Sequence, residues 1–130
     1  MTISILNGVF LAAYSLSALV QLNDPDALPW VAIYLAAAAM CALWFRQRAR
    51  RAPLPRWLPA TLLLISLGWS ASLVPAIAGE VSWGEIFESV SMRTRAVEEA
   101  REIGGLLLVA IWSATLLLLR LRTGSLTPSA

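Results

Sequence analysis

The chain has 130 residues, 58% of them hydrophobic and 14% charged, with a formal net charge of +2, no histidine and one cysteine. A soluble domain carries about a quarter charged residues, so a mean hydropathy of +0.71 excludes an ordinary water-facing globule. The lone Cys41 excludes an intrachain disulfide, and the lack of histidine leaves nothing on which to build a haem, zinc or copper site.

Apolar residues gather into four charge-free stretches, Ile3 to Leu22, Leu28 to Phe45, Trp57 to Ile77 and Ile103 to Leu119. A helix rises 1.5 Å per residue, so crossing a hydrocarbon core of roughly 30 Å takes about 20 such residues. The predicted fold is therefore an all-α membrane protein: four transmembrane helices in an antiparallel bundle, spanning 3–22, 28–45, 57–77 and 97–121. One domain covers 1–122, and the polar, turn-rich tail 123–130 is read as flexible.

The first stretch opens with MTISILNG, which lacks the positive residue of a secretory signal, and is read as a retained helix. It carries Asn7, Phe10, Tyr14, Ser17 and Gln21 at alternating spacings of three and four, which places them on one side of a helix. Polar groups are costly in lipid, so this side is expected to face other helices. Gly8, Ala12 and Ala13 offer room for close helix approach.

A short turn follows, Asn23-Asp24-Pro25-Asp26. Asx side chains favour turns by bonding nearby backbone, and proline does so by its fixed φ. Asp26 is positioned as the N-cap of the second helix, with Pro29 in its first turn, where a missing N–H does no harm. Trp30 and Tyr34 then stand one turn apart, and Trp30 is expected in an interfacial aromatic belt.

The run RQRARRAPLPR separates the second and third stretches. Trp44 and Trp57 flank it as membrane-surface anchors. Pro59 falls in the first turn of the third helix, Pro75 is expected to kink or end it, and Ser66, Ser70 and Ser72 are candidate interhelical hydrogen-bonding groups.

In the next connection, Ser82 and Glu85 fit a capping box. A short interfacial helix is predicted there, with Trp83, Ile86, Phe87 and Val90 on its apolar side. The last helix starts in VEEAREIGG, outside the hydrocarbon, and runs through Trp112 to Arg120.

Charge sorts by side. Arg46, Arg48, Arg50, Arg51, Arg56, Arg120 and Arg122 fall at one face of a four-crossing chain. All 8 acidic residues fall at the other, accompanied by Arg93, Arg95 and Arg101. Arginine excess marks the cytoplasmic side, so both termini are placed in the cytoplasm of an inner or plasma membrane and the acidic connections outside.

Two clusters carry what chemistry the chain has: Gln21, Asn23, Asp24 and Asp26 leading to Trp30 and Tyr34, and Glu98, Glu99, Arg101 and Glu102 leading to Gly105. QLNDPDALPWVAIY together with EEAREIGGL resembles the transmembrane protein 220 family. Its pattern, a Q-x-N-D-P-D turn, a tryptophan and tyrosine one turn apart, and a later E-x-x-R-E-x-x-G-L, falls here on Gln21, Asn23, Asp24, Pro25, Asp26, Trp30 and Tyr34, then on Glu98, Arg101, Glu102, Gly105 and Leu106. The resemblance implies a small four-helix membrane protein and marks these residues, but brings no reaction with it.

The clusters admit several uses. As a latch, Arg101 bridges Asp24 or Asp26 to a glutamate while Gln21 and Asn23 satisfy turn and helix ends. As a metal site, Asp24, Asp26, Glu99 and Glu102 offer only oxygen ligands, which suit Ca²⁺, Mg²⁺ or Mn²⁺ and not zinc or haem. Catalysis would need a tuned acid–base pair or a nucleophile, and no Gly-x-Ser-x-Gly or histidine is present. Charge within the membrane usually marks a conducting path, and the central halves of the four spans contain none.

The reading is therefore an accessory or scaffold subunit, not an enzyme. Its alternative is a binding protein for a divalent cation or a small polar or lipid ligand. Membrane lipids are its partners, with a larger complex or a homo-oligomer, and the arginines call for no nucleic acid. With Cys41 replaced by alanine, Glu88→Cys should react with an impermeant maleimide added from outside. Labelling from the cytoplasmic side alone would overturn the orientation.

Overall fold

In a computed structural model, residues 2–77 and 95–124 are described, and all their regular structure is helical. Helix α1 spans Thr2–Val20 and runs into a 3-10 turn at Gln21–Asn23. Helix α2 spans Ala27–Ala49, α3 Trp57–Ile77 and α4 Arg95–Gly124. All four are long and apolar enough to cross a membrane. The 30 residues of α4 reach about 45 Å at 1.5 Å each, more than the hydrocarbon needs. The expected interfacial helix at 83–90 and the tail 125–130 lie outside the described residues.

Hydrophobicity does not decide which side of each helix turns inward. On α4, Leu106, Val109, Trp112 and Leu116 are buried, while Leu107, Leu108, Ile111 and Leu118 are exposed. A leucine is as well placed against a lipid tail as against another leucine, so fit and hydrogen bonding select the inner face. On α2 that face is small and smooth: Ala37, Ala38 and Cys41 are buried beside Met40.

Helix α1 lies chiefly against α2, and α3 chiefly against α4. Polar bonds tie the two pairs together, and the stripe of α1 supplies them. Asn7, fully buried, donates from Nδ2 to the carbonyl of Cys41 at 2.9 Å and accepts from the indole Nε1 of Trp112 at 3.0 Å. An indole can only donate and a carbonyl can only accept, so this pair of partners fixes the orientation of the amide. One turn on, Phe10 stacks on Trp112 with centroids 4.4 Å apart. A further turn along, the hydroxyl of Tyr14 donates to the carbonyl of Leu108 at 3.0 Å.

Several expectations are corrected. Ala12 and Ala13 face outward, and a Cβ at Gly8 would meet Phe45 only at 3.9 Å. The close approach is made instead by the small residues of α2. Ser72 bonds back to the carbonyl of Trp69 in its own helix, a local bond serine makes readily. Ser66 and Ser70 are buried with no hydrogen-bond partner among the described residues. Pro75 sits inside α3, which continues to Ile77.

Helix α2 ends without a glycine. The amide of Ala52 bonds the carbonyl of Gln47 at 2.9 Å and that of Arg51 the carbonyl of Arg48 at 3.1 Å. This is a Schellman closure, which places Arg51 at the left-handed position, with φ 54°. A side chain there costs roughly 1–2 kcal/mol, partly offset in glycine by the entropy it loses on folding. Arg51→Gly should therefore stabilise the bundle by about 0.5–1 kcal/mol in denaturant-titrated mixed micelles. Arg51→Ala, which keeps the Cβ, should show no gain; equal gains would mean that loss of charge, not relief of strain, is responsible.

Candidate functional site

The first cluster forms the link from α1 to α2. The chain leaves α1 as one 3-10 turn closed by the amide of Asp24 on the carbonyl of Gln21 at 3.1 Å. It enters α2 through the amide of Ala27, which bonds the carbonyl of Asp24 at 3.2 Å. These bonds satisfy backbone groups that side-chain caps otherwise serve. Gln21 and Asp24 are half-buried here, whereas Asn23 and Asp26 are exposed.

Asp26 takes the N-cap position, but its carboxylate makes no capping bond. Its Oδ2 accepts instead from the indole Nε1 of Trp30 at 3.3 Å, one helical turn on. The described contact of Asp26 is thus to Trp30. Trp30 is itself only 2% exposed, stacked on Trp69 of α3 with centroids 4.4 Å apart and ring planes 26° apart. With its N–H held by Asp26 and its ring covered by Trp69, the indole packs inward.

Tyr34 continues the same side of α2 and is buried against α4. Its hydroxyl fills the space that a Cβ at Gly105 would occupy. Tyr34 is therefore where the two sequence motifs meet, contributed by the first and received by Gly105 of the second. The glycine is needed because no larger residue leaves room for that hydroxyl.

The carboxylates of α4 sort by depth. Glu99 is 7% exposed, Glu102 is half-buried and Arg101 is exposed. The side chain of Glu98 lies outside the described set. Among the described residues no three carboxylates or thiols are grouped closely enough to hold a metal ion.

Trp69 was not among the residues singled out from the sequence. A tryptophan in the midst of a span has an N–H and a large ring to place, and that was the available signal.

A family model described as "Transmembrane family 220, helix" matches residues 13–118. Transmembrane protein 220 of Xenopus laevis is 30% identical over 127 residues, covering 83% of this chain and 54% of the relative. The chain thus spans about half the length of the curated relative it matches. No solved structure matches.

The Tyr34–Gly105 contact is open to a direct check. Gly105→Ala should lower stability in detergent by about 1–3 kcal/mol, the usual penalty for overpacking. Tyr34→Phe, which removes the obstructing hydroxyl, should recover part of that loss when combined with it. Gly104→Ala meets nothing within 4 Å and should be neutral or stabilising by up to about 1 kcal/mol. Equal effects at the two glycines would show that the tyrosine contact is immaterial.

Proposed function

The chain belongs to transmembrane family 220, and on that footing we propose that it is a non-catalytic accessory or scaffold subunit of a membrane assembly. Its working surface is the acidic end formed by Gln21, Asn23, Asp24 and Asp26 with Glu98, Glu99, Arg101 and Glu102. One observation carries the reading. The large polar side chains within the spans, Asn7, Tyr14 and Trp112, are engaged in helix-to-helix bonds. Bonds of that kind build a rigid body and leave those groups unavailable for a transport path. Polar groups open to a partner then concentrate at the ends, and the acidic end is the one organised by both motifs. The partner is a membrane protein or a second copy of the chain.

The test is extraction of the protein from its host membrane in polymer nanodiscs, without detergent, followed by mass measurement. The reading requires a second polypeptide, or a second copy, at fixed stoichiometry beside the 14.1 kDa chain. It also requires that Asp24→Asn with Glu102→Gln abolish that association. A particle holding one copy and lipid alone contradicts it.

A second reading is a divalent cation or a small polar ligand held at this end, where Asp24, Asp26, Glu99 and Glu102 offer only oxygen donors. Calcium or manganese would then raise the melting temperature of the wild type and not of Glu99→Gln. No ion-dependent shift in the wild type contradicts the cation form of this reading.

A further inference from the structure

At the arginine-rich end, opposite the acidic cluster, the helices leave a cavity of about 290 Å³. Its wall comes from the start of α1, the last turns of α2 and α4, and the link between α2 and α3. Arg48, Arg120, Gln47 and Thr123 supply its polar side, and Trp44 and Leu116 belong to its apolar side. None of the residues lining it is acidic.

The two arginines differ from their neighbours in the basic link. Arg48 lies over the Trp44 ring, its guanidinium carbon 5.4 Å from the ring centroid, which holds the charge at the cavity wall. Arg120 is half-buried and donates from Nε to the carbonyl of Leu54 at 3.2 Å. That bond leaves the two terminal nitrogens of its fork to meet a planar or tetrahedral anion. Arg48 is exposed, as are Arg46, Arg50 and Arg51, but of these four it alone lines the cavity.

We propose that this cavity binds one anionic phospholipid of the surrounding leaflet, its phosphate held by Arg48 and Arg120 and the first part of an acyl chain laid against Trp44 and Leu116. Volume and chemistry agree. About 290 Å³ holds roughly ten groups of about 30 Å³ each, enough for a phosphate and a few methylenes, with the rest of the lipid outside in the bilayer. A soluble anion would satisfy the arginines but leave the apolar wall uncovered, and a neutral lipid would do the reverse. Orientation alone explains arginines near this surface. It does not explain two of them lining one apolar recess with no carboxylate among the described lining residues.

The full chain is placed in nanodiscs of equal parts phosphatidylcholine and phosphatidylglycerol and examined by native mass spectrometry. One phosphatidylglycerol per chain should be retained in preference to phosphatidylcholine. Arg48→Gln or Arg120→Gln should weaken that retention by about tenfold, the loss of one charge-assisted hydrogen bond. Arg46→Gln, with the same charge change outside the cavity, should leave it unaltered. Arg120→Gln also removes the bond to Leu54, so Thr123→Trp gives an independent check: it fills the cavity with both charges intact and should abolish retention. Equal losses at Arg46 and Arg48, no preference for the anionic lipid, or retention in Thr123→Trp would each overturn the proposal. Displacement of the lipid by glycerol phosphate without acyl chains would also overturn it, by making this a site for a free anion.

Discussion

A polar group inside a bilayer has no water to turn to, and Asn7 is where that constraint governs this bundle. Its amide is fully buried, giving a proton to the carbonyl of Cys41 on α2 and taking one from the indole of Trp112 on α4. Among lipid tails there is little hydrophobic gain in pressing one apolar helix against another. Helices with leucine on every side would otherwise slide and rotate at little cost. Asn7 removes that freedom, since a shift of either partner leaves a buried donor or acceptor unmet, a penalty of about 1–3 kcal/mol. Phe10 on Trp112 and Tyr14 on Leu108 extend the same register along α1.

Both ends inherit their geometry from that register. Once α1, α2 and α4 are fixed, Tyr34 is brought to Gly105, so the two sequence motifs meet. Trp30 carries the same end onto α3 through Trp69, with Asp26 holding its indole N–H. At the other end Arg120 holds the α2–α3 link by the carbonyl of Leu54, and the recess beside it remains. Neither end contributes charge to the middle. The acidic cluster and the arginine-lined recess thus occupy different ends of the bundle.

What the sequence disclosed follows from what lipid punishes. Bilayer thickness sets the length of charge-free runs, so the four spans could be read directly. The cost of polar atoms in hydrocarbon made the three-and-four stripe of Asn7, Phe10 and Tyr14 legible as an inner face. Partners were not legible, because they depend on which helix lies opposite, and periodicity on one helix says nothing of its neighbour. The packing of Trp30 was illegible for a related reason: its stacking partner, Trp69, lies on another helix. Asp26 looked like a cap because Asp commonly caps, yet an indole N–H one turn on competed for its oxygen. The left-handed Arg51 left no trace, since that position is usually marked by a glycine. Within the acidic cluster, residue types were readable and distances were not, so Glu99 and Arg101, two positions apart, gave no sign that one would be buried and the other exposed.

The most direct test of the polar lock is a double-mutant cycle on Asn7→Leu and Trp112→Phe, followed by reversible unfolding in mixed micelles. Leucine keeps the volume of Asn7 roughly and removes both its bonds; phenylalanine removes the indole donor. If Asn7 and Trp112 hold α1 to α4 as described, the two losses will fall short of additivity by about 1 kcal/mol, the scale of an interhelical hydrogen bond in a membrane. Strictly additive losses would show that the bond between them does not set the register of the bundle.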